Sequence, residues 1–366
     1  MGSGSAMLMD SFEVENFRSL KHLKLENLAR VNLLVGKNNS GKTTALESMY
    51  ALANIETSHW LYGIESDRGL DDDEIDFRYL FYSFDDTLPI MLKAVYKSVR
   101  SNNLAQLRVQ MKLENTGLDF NSEHSKYTRR LSKKRRPTVT NGLAVQVWTS
   151  EKAKPLRFEV RHRDYVTSLI TSSAIAEKFT ESGWGSVASS RNVSELLPTK
   201  VGFNQLNEDL GSLLIEKQLD RLVSIIQRID PRIKSIALLG ESSVYLDLGK
   251  AFQSLSPLKL MGEGLQKLLS ITAAIASTSG GIVFIDEIDN GLHYSALRIL
   301  WKGVLQAARE YDVQIVTTTH SAEALRHLTW VLDEEEGKEY RDDVAAYTLI
   351  RAKPARKKHK ALSSAG

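Results

Sequence analysis

Hydrophobic positions along this 366-residue chain follow two rhythms, and the switches between them mark out its elements. Residues 11–20 alternate apolar and polar side chains, the period of a strand with one buried face. Leu23-Lys24-Leu25 fits beside them as a hairpin arm. Val31-Asn32-Leu33-Leu34-Val35 is apolar nearly throughout, as a parallel strand buried on both faces must be. Residues 44–52 then take up the 3.6-residue rhythm of an amphipathic helix. Residues 77–82 and 90–99 read as strand-like or mixed, and 107–113, 143–148 and 156–160 alternate clearly. Residues 80–160 are therefore predicted to form a largely antiparallel sheet. From Asn204 to Arg228 leucines and isoleucines recur at helical spacing, predicting one helix that Asp230-Pro231 ends. Residues 233–239 and 243–248 resemble a strand pair around Gly240, and 265–277 a helix. Residues 281–285 and 313–319 are two more buried strands. The order of these patterns predicts an α/β protein.

The three apolar strands all end in chemistry. After Val35 comes Gly36-Lys37-Asn38-Asn39-Ser40-Gly41-Lys42-Thr43-Thr44, which reads G-x-x-x-x-G-K-[ST]. Between a strand and a helix such a loop is a phosphate cradle: its glycines let backbone N–H groups and the helix N-terminus face one small volume. Lys42 is placed to reach the β- and γ-phosphates of ATP, and the Thr43 hydroxyl to ligate Mg²⁺. After Ile285 come Asp286 and Glu287. The first suits the Mg²⁺ shell, through water, and the second suits a general base for the attacking water. After Thr319 comes His320, which can bond a γ-phosphate and sense its loss. A second glycine turn, Gly262-Glu263-Gly264, opens the helix at Leu265 and is also anion-receptive. One nucleotide cannot easily serve both helix starts, unless one of them works on a neighbour's nucleotide.

These motifs resemble the ATP-binding-cassette ATPases of the RecF/SMC type. The resemblance is closest to the stand-alone or OLD-nuclease-like ATPases of bacterial anti-phage loci. Asn16-Phe17-Arg18-Ser19-Leu20 precedes the phosphate loop as in that group, and Gly262-Glu263-Gly264 is similar to its signature motif. Asp286-Glu287-Ile288-Asp289 combines the Walker B strand end with a D-loop at Asp289, and Thr319-His320-Ser321 resembles its switch histidine. The resemblance implies a P-loop NTPase with an ABC-type head, built from a mixed central sheet, a β-rich lobe and an inserted helical lobe. Residues 7–60 and 240–350 would supply the two halves of the core, and 61–239 the insertions. It further implies a homodimer that sandwiches two ATP molecules, each capped in trans by the other chain's Gly262-Glu263-Gly264, with Arg18 touching the nucleotide. The Q-loop glutamine is unassigned, with Gln106 and Gln110 as weak candidates. No heptad run predicts a coiled-coil arm. The 46 residues after His320 are too few for the TOPRIM nuclease domain of OLD-type proteins. A nuclease or toxin effector is thus expected on a separate chain, as in PARIS-type pairs. The alternative is a RecF-like DNA-maintenance ATPase. A transporter-type cassette is set aside, because the signature is not transporter-like.

Composition adds limits. Charged residues make up 25% and hydrophobic residues 42%, as in soluble globular proteins, and no apolar run approaches a membrane span. Zero cysteines exclude disulfides and thiolate metal sites and fit a cytoplasmic location. A net charge of +3 points to nucleic acid only through its distribution. Arg129, Arg130, Lys133, Lys134, Arg135 and Arg136 put six cations into eight residues. They read either as a hairpin tip kept from packing by repulsion or as a salt-sensitive contact to double-stranded DNA phosphates. Residues 351–366 are a basic tail expected to be disordered, residues 71–74 an acidic solvated loop, and residues 1–6 a cloning scar.

Overall fold

A computed structural model of the chain describes residues 7–55, 60, 64, 76–98, 104–115, 141–150, 154–160, 195–197, 202–240, 243–250 and 252–351. The acidic run 71–74, the basic run 129–136, the Gly/Ser-rich stretch near 182–192 and the tail beyond Arg351 lie outside the described residues.

The strands are β1 (Met7–Phe17), β2 (Leu20–Glu26), β3 (Val31–Val35), β4 (Ile90–Ser98), β5 (Leu104–Asn115), β6 (Asn141–Trp148), β7 (Leu156–Val160), β8 (Glu195–Leu197), β9 (Ser235–Leu238), β10 (Val244–Asp247), β11 (Ser256–Pro257), β12 (Ile282–Ile285), β13 (Gln314–Thr319) and β14 (Val344–Thr348). The helices are α1 (Lys42–Ala53), α2 (Phe203–Ile215), α3 (Leu219–Ile229), α4 (Glu263–Ser277), α5 (Tyr294–Glu310) and α6 (Ala322–Asp333). Parallel and antiparallel strands are divided between sheets. Five strands in the order β14-β3-β13-β12-β8 are all parallel. Six in the order β2-β1-β4-β5-β6-β7 are all antiparallel, and β11-β10-β9 form a small third sheet.

Strand alternation explains the layering. In the parallel sheet Leu34, Phe284 and Val316 point to one side, where α1 and the inner face of the six-stranded sheet close one core. Their neighbours Leu33, Val283 and Ile315 point to the other, into a second core with α2 to α6. Burying side chains such as Phe284 and Leu33 fully stabilises by about 1.5–3 kcal/mol each. Polar residues inside these strands are satisfied. Gln314, at the start of β13, receives the Met9 N–H at 2.8 Å and donates to the Met9 and Ala29 carbonyls at 2.8 Å each. It thereby ties the two large sheets together.

Two expectations are corrected. The single helix over 204–228 is a pair, α2 and α3. Lys217 turns left-handed (φ 60°), and the Gln218 N–H reaches the Leu213 carbonyl at 2.7 Å, a helix-ending motif that apolar spacing does not reveal. Residues 77–82 do not form a strand but two short 3₁₀ turns, Phe77–Leu80 and Tyr82–Phe84. Asp76 caps the first by accepting the Arg78 N–H at 2.9 Å. The alternation over 11–20 also hides a tight hairpin: Phe17 pairs with Leu20, and Arg18 between them takes φ 49°.

Candidate functional site

In a parallel sheet all strand C-termini lie on one edge, and here β3, β13 and β12 are neighbours there. Register pairs Val35 with Thr319 and Ile285 with Thr317, so the residues following the three strands meet. Gly36 permits the close passage the loop needs: a Cβ there would lie 2.7 Å from the Leu349 carbonyl oxygen. Asn39 (φ 62°) and Gly41 (φ 97°) both turn left-handed, which aims successive N–H groups into the loop. Helix α1 starts at Lys42 with no side-chain cap. The Ser40 hydroxyl is buried and has no hydrogen-bond partner. Lys42 folds back over the loop, its Nζ donating to the Gly36 carbonyl at 2.8 Å and the Lys37 carbonyl at 3.1 Å. An uncapped helix start, an orphaned hydroxyl and a cation held only by carbonyls are the donor set a triphosphate requires. Thr43 Oγ1 lies 3.1 and 3.3 Å from the two Asp286 oxygens, so hydroxyl and carboxylate converge as a Mg²⁺ shell needs.

Glu287 follows in the left-handed region (φ 47°), a strained place for glutamate that the surroundings over-determine. Its N–H donates to Thr318 Oγ1 at 2.8 Å, and the next N–H, of Ile288, to the Thr318 carbonyl at 3.1 Å. The Thr318 hydroxyl in turn donates to Asp286 at 2.5 Å. This threonine therefore orients both acids. The Glu287 carboxylate faces His320 Nδ1 at 3.6 Å, both side chains partly exposed. Asp289 accepts from Thr319 Oγ1 at 2.6 Å, fixing the D-loop to β13.

Behind this loop lies Lys267, on the second turn of α4. Its Nζ donates to the Asn290 carbonyl at 2.7 Å and the Glu287 carbonyl at 3.2 Å. Burial pushes the ammonium down to about 8 against the opposing pull of Asp289 and Glu287. Thr318, Thr319 and Lys267 were not singled out from the sequence. The run of three threonines closing a buried strand was the available signal for the first two, and Lys267 gave none.

The structure also separates residues grouped by motif. Gly262 and Glu263 are exposed, α4 has no side-chain cap, and a Cβ on Gly262 would meet open space. Gly264 instead packs inward, where a Cβ would lie 2.9 Å from Ala296 Cβ on α5. Leu260, two residues before Gly262, is 77% exposed, and Tyr294 at the start of α5 is 60% exposed. Arg18 pairs through NH1 with Glu47 of α1 at 3.1 Å, both side chains nearly buried. It locks the β1–β2 turn onto α1, helped by the 2.9 Å bond between the Ser19 and Thr44 hydroxyls. Gln106 and Gln110 are ruled out as γ-phosphate sensors. They alternate with Leu107 and Val109, which join α1 in the core, so they face outward. There they line a groove of about 640 Å³ with Lys93, Arg108 and Trp148. The cations at 129–136 fall between β5 and β6, outside the described residues. No helix among the described residues is long and apolar enough to cross a membrane.

A parallel sheet carrying phosphate loop, paired acids and histidine on one edge defines a P-loop nucleotide-binding protein of the α/β class. The chain belongs to the AAA ATPase domain family, whose model matches residues 7–324. A Helicobacter pylori protein described as an ATP/GTP phosphatase is 20% identical over 354 residues, covering 90% of each chain. The DNA replication and repair protein RecF of Clostridioides difficile is 51% identical, but over 47 residues, 13% of each chain. Among solved structures, the SMC head domain from Thermotoga maritima superposes loosely, with 12% identity and a TM-score of 0.48 over 87% of this chain and 91% of that one.

Proposed function

We propose that this protein hydrolyses ATP at a site completed by a second copy of itself. In this reading the closed homodimer is a switch for a separate effector, a nuclease or toxin of bacterial anti-phage defence. Lys42 and the N–H groups of residues 38–44 bind and orient the triphosphate. Thr43 and Asp286 would hold Mg²⁺, which would neutralise charge developing on the phosphates. Glu287 accepts a proton from water as its oxygen bonds the γ-phosphorus and the bond to the ADP oxygen breaks. His320 contacts the γ-phosphate and registers its departure. The observation that carries the reading is the bare start of α4: Gly262 and Glu263 are exposed and uncapped, and Leu260 just before them is exposed. Among the described residues nothing lies within 4 Å of a Cβ built on Gly262. The defence role draws its support from the motif resemblance alone.

The test is the solution mass of the chain by light scattering. With ATP·Mg²⁺ and Glu287→Gln to halt turnover, a dimer is expected; without nucleotide, a monomer. A monomer that hydrolyses ATP with a rate constant independent of dilution would refute the shared site. Co-purification of an effector chain from its native host, gained or lost with ATP, tests the second half.

A DNA-maintenance role is the alternative, favoured by the 47-residue likeness to RecF. It predicts ATP-dependent, salt-sensitive binding to duplex DNA that neutralising residues 129–136 abolishes.

A further inference from the structure

One side chain joins the helix that opens at the Gly262 turn to the backbone of Glu287, the residue read above as the base for the attacking water. Lys267 stands five residues after Gly262 on the same rigid helix, and its residue is 7% exposed. Both its acceptors are backbone carbonyls, one belonging to Glu287 and one to Asn290. Main-chain acceptors cannot rotate away as carboxylates can. The turn they belong to is held tightly: the Asn290 N–H donates to the same Glu287 carbonyl at 2.9 Å, and Gly291 takes φ 74°. Gly264 packs against Ala296, so the start of α4 has little room to move sideways without moving α5. Hydrogen bonds keep their strength only over a few tenths of an ångström. A small shift of the α4 start must therefore either break the Lys267 bonds or carry the Glu287 backbone with it.

We propose that Lys267 is a positioning residue that couples the two nucleotides of the dimer, so that ATP under a subunit's Gly262 turn sets the geometry of Glu287 in that same subunit. This rests on the shared-site reading above. Hydrolysis at the two sites is then cooperative, and Lys267 carries the cooperativity.

The test uses the full chain with Lys267→Met, which keeps length and burial but removes the ammonium, and Lys267→Arg. ATP affinity of the monomer, ATP-induced dimerisation and steady-state hydrolysis against ATP concentration are measured for each. Wild type is expected to show a Hill coefficient above one. Lys267→Met should retain ATP affinity and dimerisation within about threefold, lose about 100-fold in kcat, and fall to a Hill coefficient of one. Lys267→Arg should recover part of both kcat and cooperativity. A lower kcat with the Hill coefficient retained would reduce Lys267 to local support and overturn the coupling, as would unchanged kinetics. Should Lys267→Met fail to fold by circular dichroism, Lys267→Arg decides: its fork misplaces the donors, so unaltered cooperativity refutes the proposal. A wild type that is dimeric without cooperativity also refutes it, whereas a wild type that never dimerises refutes the shared-site reading instead.

Discussion

Helices α1 and α4 both begin on a glycine and both lack a side-chain cap, yet the chain surrounds one start and leaves the other bare. Around α1 the same subunit gathers the left-handed loop, Lys42, the Thr43–Asp286 pair, Glu287 and His320. Around α4 only its foundation is supplied. Lys267 pins it to the D-loop, Gly264 seats it on α5 and Gln266 folds back onto the Met261 carbonyl at 2.6 Å, but among the described residues nothing lies within 4 Å of a Cβ built on Gly262. An unsatisfied helix start costs little in water, where solvent serves the N–H groups, and it binds an anion strongly once covered. The contrast teaches that the same backbone device can be a complete site or half of one, depending on what the sheet edge brings beside it.

Four substitutions break or sharpen that contrast. Glu287→Gln should cut turnover about 1,000-fold while leaving ATP affinity intact, measured by phosphate release and by titration with ATP. Normal turnover would remove Glu287 as base. Lys42→Ala attacks the complete start and should weaken ATP binding about 100-fold in the isolated subunit, read by calorimetry. Gly262→Asp attacks the half-site, with open space for the new side chain. It should leave ATP binding by the monomer unchanged but lower hydrolysis about 30-fold by repelling the partner's phosphates. If it weakens monomer binding instead, the two starts serve one nucleotide. Gly264→Asp is the poorer probe, because it must also push Ala296 away.

The smallest effect concerns the far end of α4. There Asp209 of α2 accepts from Gln205 at 3.2 Å and Ser277 at 3.4 Å, and burial pushes its carboxyl from 3.8 up to about 6. The folded pKa lies above the unfolded one, so the group's contribution to stability is full below about pH 4 and lost as the pH rises through about 6. Asp209→Asn should therefore be more stable than wild type at pH 7 by up to about 3 kcal/mol and close to it at pH 4. Urea denaturation at both pH values checks this; a gain of equal size at pH 4 would assign it to packing.

Much of the site was legible because its parts are local. A phosphate loop carries its strand, glycines and helix in one stretch, and the acids at 286–287 and the histidine at 320 each close an apolar run. Sheet order then brought them together as parallel pairing requires. What the sequence withheld was non-local or conformational. Lys267 sits in a helical pattern like any lysine, and only packing reveals that its ammonium ends on the back of the D-loop. The pair of Arg18 with Glu47 joins residues 29 apart, and no local pattern announces it. The break at Lys217 needs a left-handed residue, and lysine gives no notice of one. Thr318 was written in the run of threonines, but its use in orienting two acids depends on β12 lying next to β13.

The tether at Gln314 has a consequence for where this molecule can move. One amide holds both the N–H and the carbonyl of Met9, buried from water, and also the part-buried Ala29 carbonyl. Sliding one large sheet over the other would strand these groups together, at a cost of several kcal/mol. The two sheets and the helix between them should travel as a single plate, leaving α2 to α5 as the layer in which any nucleotide-driven displacement is to be sought.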